Sequence, residues 1–226
     1  AAAGAEHGTV VVARAQRSGR GRLGRSWLSA PGESLTLSCV LRPALAPDAL
    51  PPLTLAAGVA LAEAVAGAVP AVRVHWPNDV VVGDRKLAGI LTEMTTRGGR
   101  VDSAVLGIGL NVNNAGFPPD LGRPATSLLL ETGRRRDLDE VRSEILDRLE
   151  VWLERFFAEG MPAVARGWRT WGGMAGARVR VDLGGGRELL GTAGGLAPDG
   201  GLEVTDDAGR LHVVRAGDVT RVRPGA

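Results

Sequence analysis

Tyrosine is missing from this 226-residue chain, and cysteine occurs once. A single thiol excludes an intrachain disulfide and any cysteine-built metal centre. Histidine occurs only at positions 7, 75 and 212, too scattered for a Cys/His zinc site. Aromatic residues make up 4% of the chain and the formal net charge is +2, which gives little stacking surface or positive field for a nucleic acid. No apolar run approaches the ~20 residues of a membrane span. No basic segment leads into an apolar stretch near the N-terminus, as an export signal would. A cytoplasmic protein with no membrane partner is expected. There is no P-loop with its Lys-Ser/Thr pair, and no local motif suggests a Ser-His-Asp triad.

Glycine, in contrast, is plentiful at 33 residues. In Gly19-Arg20-Gly21-Arg22-Leu23-Gly24-Arg25-Ser26-Trp27 it alternates with arginine. Glycine lets backbone turn sharply and approach a ligand, and arginine offers a planar fork to carboxylates and phosphates. The run reads either as a small-anion site or as a solvated Arg/Gly loop. It lies between Thr9–Ala13, an apolar run expected to be a strand buried on both faces, and a strand over 35–41. In that second strand Leu35, Leu37, Cys39 and Leu41 share one face.

Leu53–Val69 has helical spacing and Pro70 ends it. Strands follow at 72–76, 80–82, 87–94 and 103–113, with Pro77-Asn78-Asp79, Gly83-Asp84 and Arg97-Gly98-Gly99-Arg100 as turns. Gly107 and Gly109 inside the last strand mark a close approach of ligand or backbone. Asn78 and Asp79 read as turn caps or as a polar pair. Lys86 reads as a solvated strand end or as a point charge reaching into a pocket. Residues 137–159 form a strongly amphipathic helix, with a further short helix over 164–171. Beyond Gly172-Gly173, five short strands at 179–183, 188–192, 201–204, 211–214 and 219–222 predict a small barrel of about 50 residues.

Together these segments resemble biotin protein ligases. The resemblance rests on Gln16 with the Arg-Gly run, Trp76-Pro77-Asn78-Asp79, Lys86-Leu87-Ala88-Gly89-Ile90-Leu91, Gly107-Ile108-Gly109-Leu110-Asn111-Val112-Asn113 and Ala125-Thr126-Ser127-Leu128. It implies an α+β fold: a class II aminoacyl-tRNA synthetase-like mixed sheet with flanking helices over 1–174, then an SH3-like barrel over 175–226. It also implies the reaction. Biotin and ATP-magnesium give biotinyl-5′-AMP and pyrophosphate, and the biotinyl group then passes to a lysine on a biotin carboxyl carrier domain of a carboxylase.

By the same resemblance Lys86, Arg20 and Arg22 are the catalytic cations. Gln16, Gly19, Arg20, Gly21, Arg22, Lys86, Gly89, Leu91, Gly107 and Gly109 surround biotin. Arg22, Arg25, Trp27, Asn78, Asp79, Lys86 and Asn111 face ATP, with Asn111 at the adenine edge and Asp79 as a magnesium ligand. The Ser-Thr-Asn stretch that family members carry before the first strand is absent from residues 1–8. The expectation is that this chain begins downstream of it, with Ala1-Ala2-Ala3 as the tail of a helix. No DNA-binding domain is expected, and edge strands offer a route to a homodimer. The rival readings are a lipoate or octanoate ligase or transferase of the same fold, and a non-enzymatic RNA-binding module.

Overall fold

A computed structural model describes residues 4–222 of the chain; Ala1-Ala2-Ala3 lies outside them. The first strands are β1 (Val10–Ala13), the short pair β2 (Gly19–Arg20) and β3 (Ser26–Trp27), and β4 (Ser34–Leu41). Helix α1 (Leu53–Val65) follows, then β5 (Val72–His75), β6 (Asp79–Val82), β7 (Arg85–Arg97) and β8 (Arg100–Asn111). Six of these strands form one sheet in the order β1-β4-β8-β7-β6-β5, and every neighbouring pair is antiparallel. The Arg-Gly run leaves from the end of β1 and returns through β4, folding on itself as the β2–β3 hairpin.

Helix α1 is Leu/Ala-rich, a composition that gives up little side-chain entropy in a helix. It packs so close to the sheet that a Cβ on Gly58 would sit 2.9 Å from Val74 Cγ1. It stops at Val65 rather than Val69, leaving a turn before Pro70. After the short α2 (Leu128–Thr132), capped by the Ser127 side chain, comes α3 (Leu138–Glu159). The Asp137 carboxylate accepts from the Asp139 and Glu140 amides to start it. Val141, Ile145, Leu149, Trp152 and Phe156 bury its apolar stripe, as their spacing predicts. Gly160, at φ +64°, ends that helix and leads into α4 (Met161–Trp171).

The last five strands are β9 (Arg178–Asp182), β10 (Glu188–Leu196), β11 (Leu202–Asp206), β12 (Leu211–Val214) and β13 (Asp218–Arg221). They form a second antiparallel sheet in the order β12-β11-β10-β9-β13, within a residue or two of the predicted strands except for the longer β10. Trp76 Nε1 donates to the Gly200 carbonyl at 3.0 Å and ties this sheet to the first.

Two expectations are corrected. Strand β1 is not buried on both faces: it is an edge strand, and Val11 and Val12 remain 58% and 41% exposed. By length and composition alone, Pro47–Val65 is apolar enough to cross a membrane, contrary to the reading of the bare sequence; 67% of that window is buried inside the fold, as befits a core helix.

Candidate active site

Strand alternation explains why the predicted residues meet. Thr36 of β4 pairs with Gly109 of β8, which pairs with Gly89 of β7, which pairs with Asp79 of β6. These four positions cross the sheet on the face away from α1. Leu91 and Gly107 form the next such pair. Missing and small side chains leave a hollow there, a cavity of about 540 Å³. Around it stand Gln16 and the β2–β3 loop with Arg20, Gly21, Arg22, Arg25 and Trp27. Asn78, Asp79, Lys86 and Asn111 complete the wall. Of the predicted site residues only Gly19 stays outside the lining. A Cβ there would lie 2.4 Å from the Trp27 carbonyl, so Gly19 serves the hairpin.

Lys86 reaches the cavity through an irregularity. Val80 pairs with Ala88 but Val81 pairs with Lys86, leaving Leu87 as an extra residue. Such a bulge shifts the side-chain parity of the strand. Lys86 therefore shares a face with Gly89, whose missing Cβ would lie 3.0 Å from Lys86 Cε. The ammonium is 2.6 Å from Asp79 Oδ1 and 5.8 Å from the Trp27 ring centroid. Asp79 Oδ2 accepts from Arg123 at 2.6 Å.

The two glycines of β8 differ. A Cβ on Gly109 would come within 2.4 Å of Trp27 Cε2, so the indole lies against that backbone. A Cβ on Gly107 would meet only the Leu91 carbonyl, at 3.4 Å, and open cavity lies beyond. Trp27 Nε1 is buried against the Gly109 backbone with no hydrogen-bond acceptor. Trp76, by contrast, is buried with its N–H already bonded.

The loop arginines are held by neighbours that the sequence did not reveal. Arg25 Nη2 donates to both oxygens of Asp218 at 2.6 and 2.5 Å, and Arg22 donates to the Gly217 carbonyl at 3.5 Å and to Asn78 Oδ1 at 3.4 Å. Burial pushes the Arg22 guanidinium below its ordinary value, against the opposing pull of Asp218. Arg20 reaches Glu93 at 3.4 Å in an exposed pair. Asn78 Nδ2 donates to the Ile90 carbonyl, so one side chain joins loop and strand.

Asn111 donates to the Thr126 and Lys86 carbonyls at 3.0 and 3.4 Å. It braces the strand carrying Lys86 from a place in the cavity wall. Asp79 does not fit a magnesium ligand, since each of its oxygens faces a cation. Among the described residues no group of three His, Cys, Asp or Glu side chains could hold an ion.

A glycine-floored cavity ringed by a lysine and a clasp of arginines now has its parts in one place. The Biotin/lipoate A/B protein ligase family model matches residues 2–111. The biotin–[acetyl-CoA-carboxylase] ligase of Mycobacterium tuberculosis is 38% identical over 99% of this chain and 83% of its own length. The chain belongs to the biotin protein ligase family. Among solved structures, the biotin protein ligase from Aquifex aeolicus in complex with biotin and ATP matches with a TM-score of 0.82 at 30% identity, over 97% of this chain and 90% of that one. The bifunctional ligase/repressor BirA of Bacillus spizizenii is 36% identical over 85% of this chain, which spans only 59% of that relative's length.

Within this family fold, the residues that sequence reasoning missed include Arg123, Asp218, Glu93 and Phe117, all lining the cavity. Arg123 stands two residues before the Ala125-Thr126-Ser127-Leu128 motif, the one signal that could have found it. Asp218 had none, since its partners lie in the loop nearly two hundred residues earlier.

Proposed function

We propose that this protein activates biotin with ATP to biotinyl-5′-AMP and transfers the biotinyl group to a lysine of a biotin carboxyl carrier domain. One observation carries the reading: cations on the β2–β3 loop and one ammonium converge over a cavity floored by Gly89 and Gly107. Two anions must meet in the first step. A biotin carboxylate oxygen attacks the α-phosphorus, the bond to the bridging oxygen breaks, and pyrophosphate leaves. Positive charge set in place beforehand lowers that barrier. Lys86 bridges the carboxylate and α-phosphate oxygens, Arg22 and Arg20 lie over them, and Arg25 exchanges Asp218 for nucleotide phosphates.

Trp27 forms the wall between the two ligands. Gly89, Leu91 and Gly107 frame the biotin rings, with Gln16 at the loop end. Closing the loop keeps a hydrolysable mixed anhydride dry until the acceptor lysine attacks its carbonyl and AMP departs. Asn111, whose Nδ2 braces the Lys86 strand, stands in the cavity wall on the adenine side, and no step runs through a protein-held metal. Residues 1–174, class II synthetase-like, supply the catalysis, and residues 175–226, SH3-like, supply Asp218.

Pyrophosphate release with ATP and, in parallel, biotin, octanoate or lipoate tests the reading. Release is expected with biotin. Release with octanoate or lipoate and none with biotin overturns it. Calorimetry with short RNA is expected to show no binding.

A further inference from the structure

We propose that Arg123 is a positioning residue that keeps Asp79 neutralised while Lys86 moves to the substrates. The inference rests on the ligase reading above. The Asp79 side chain is only 6% exposed, and its two oxygens are matched one to one: Oδ1 to Lys86 Nζ and Oδ2 to Arg123 Nη1, both at 2.6 Å. No donor is aligned for a hydrogen bond on Oδ1, so the ammonium alone compensates it.

A lysine held this way is poorly placed for chemistry. To reach the carboxylate and phosphate oxygens it must leave a buried anion, and a buried charge stripped of its partner is strongly unfavourable. Arg123 removes that obstacle. With a second full positive charge on the same carboxylate, Lys86 can depart and Asp79 stays paired. Arginine suits the post because its guanidinium does not lose its proton and its planar fork holds direction.

The backbone fixes the arrangement. Lys86 N donates to the Pro124 carbonyl and Thr126 N to the Lys86 carbonyl, each at 2.9 Å, so the chain beside Arg123 is stitched to the residue it serves. Asn111 adds a bond to the Thr126 carbonyl at 3.0 Å. The Arg123 side chain is 37% exposed, in the cavity wall, with its Nη1 turned to Asp79.

A double-mutant cycle in the full chain tests this. In Arg123→Met, Asp79 keeps one cation and grips it, so single-turnover pyrophosphate release should slow on the order of tenfold. The KM for biotin should stay within about twofold. Arg123→Lys should restore most of the rate. In an Asp79→Asn background Arg123→Met should change little more, because no carboxylate remains to be neutralised. An unmutated rate in Arg123→Met overturns the proposal. Equal losses in both backgrounds also overturn it, assigning Arg123 a direct contact with nucleotide.

The same cycle read by urea unfolding needs no substrate and reports whether Arg123 and Asp79 are coupled; additive effects overturn the proposal as well. If the unmutated protein releases no pyrophosphate from ATP and biotin, the ligase reading fails instead, and the unfolding cycle still decides the pairing.

Discussion

Alternate residues of the same strands build both faces of the six-stranded sheet, and the faces follow different rules. Toward the helices, Leu35, Leu37 and Cys39 of β4, Leu106, Ile108 and Leu110 of β8, and Ala88 and Ile90 of β7 join one apolar core with α1 and α3. Toward the cavity the same strands offer Thr36, Ser38, Gly89, Gly107 and Gly109, hydroxyls and absent side chains. One face is filled to exclude water and the other is emptied to admit a ligand. Stability and chemistry are therefore carried by neighbouring residues that point opposite ways, and substitutions should separate them.

The largest separation is expected at Lys86. Lys86→Ala should keep its near-UV circular dichroism, since Arg123 still neutralises Asp79, while pyrophosphate release falls by about 3–4 kcal/mol of barrier. On the opposite face, Leu106→Ala should lower unfolding free energy by about 2–5 kcal/mol in urea and leave biotin affinity nearly unchanged. His75, buried at the end of β5, sharpens the contrast through pH. Burial first, then the charges of Arg221 and Arg123, push its imidazole down to about 4.

The unfolded chain binds that proton near its ordinary value, so stability should drop as pH falls from about 6.5 to about 4 and then level off. The loss should be at most about 3 kcal/mol, and His75→Asn should remove it. Asp206, held low by His212 and by the Arg210 amide, loses its contribution only at lower pH, outside that window. Smaller still, Gly109→Ala should displace Trp27 and weaken ligand binding in calorimetry, whereas Gly107→Ala should disturb the empty fold little. Smallest is Asp218→Asn, which breaks a half-exposed pair with Arg25 and should cost under about 1 kcal/mol of stability, less at high salt.

Much of this was legible where the signal is local. Alternation in 35–41 gave the buried face of β4, the glycine pair at 98–99 gave the β7–β8 turn, and turn spacing gave the C-terminal strands. The Arg-Gly run, Asn78 and Lys86 were found because motif order outweighs each residue's bland reading. What escaped depends on partners far along the chain. An apolar run such as Val10-Val11-Val12 does not say whether it will have one neighbour or two. Neither the Arg25–Asp218 pair nor the Trp27 ring against Gly109 leaves a mark on local sequence. The residue count of β7 hid the bulge, and the role expected for Asp79 as a metal ligand fell once its two cations were visible.

The extra residue at Leu87 has a consequence for how the hairpin finds its pairing. If β6 and β7 zipped up without it, Leu87 would face the hollow and the lysine would be driven in among valines and alanines. Burying a bare ammonium there is costly enough to reject that alignment. The reactive group thus acts as a proofreader of its own strand, since the misaligned sheet is the one that cannot tolerate it.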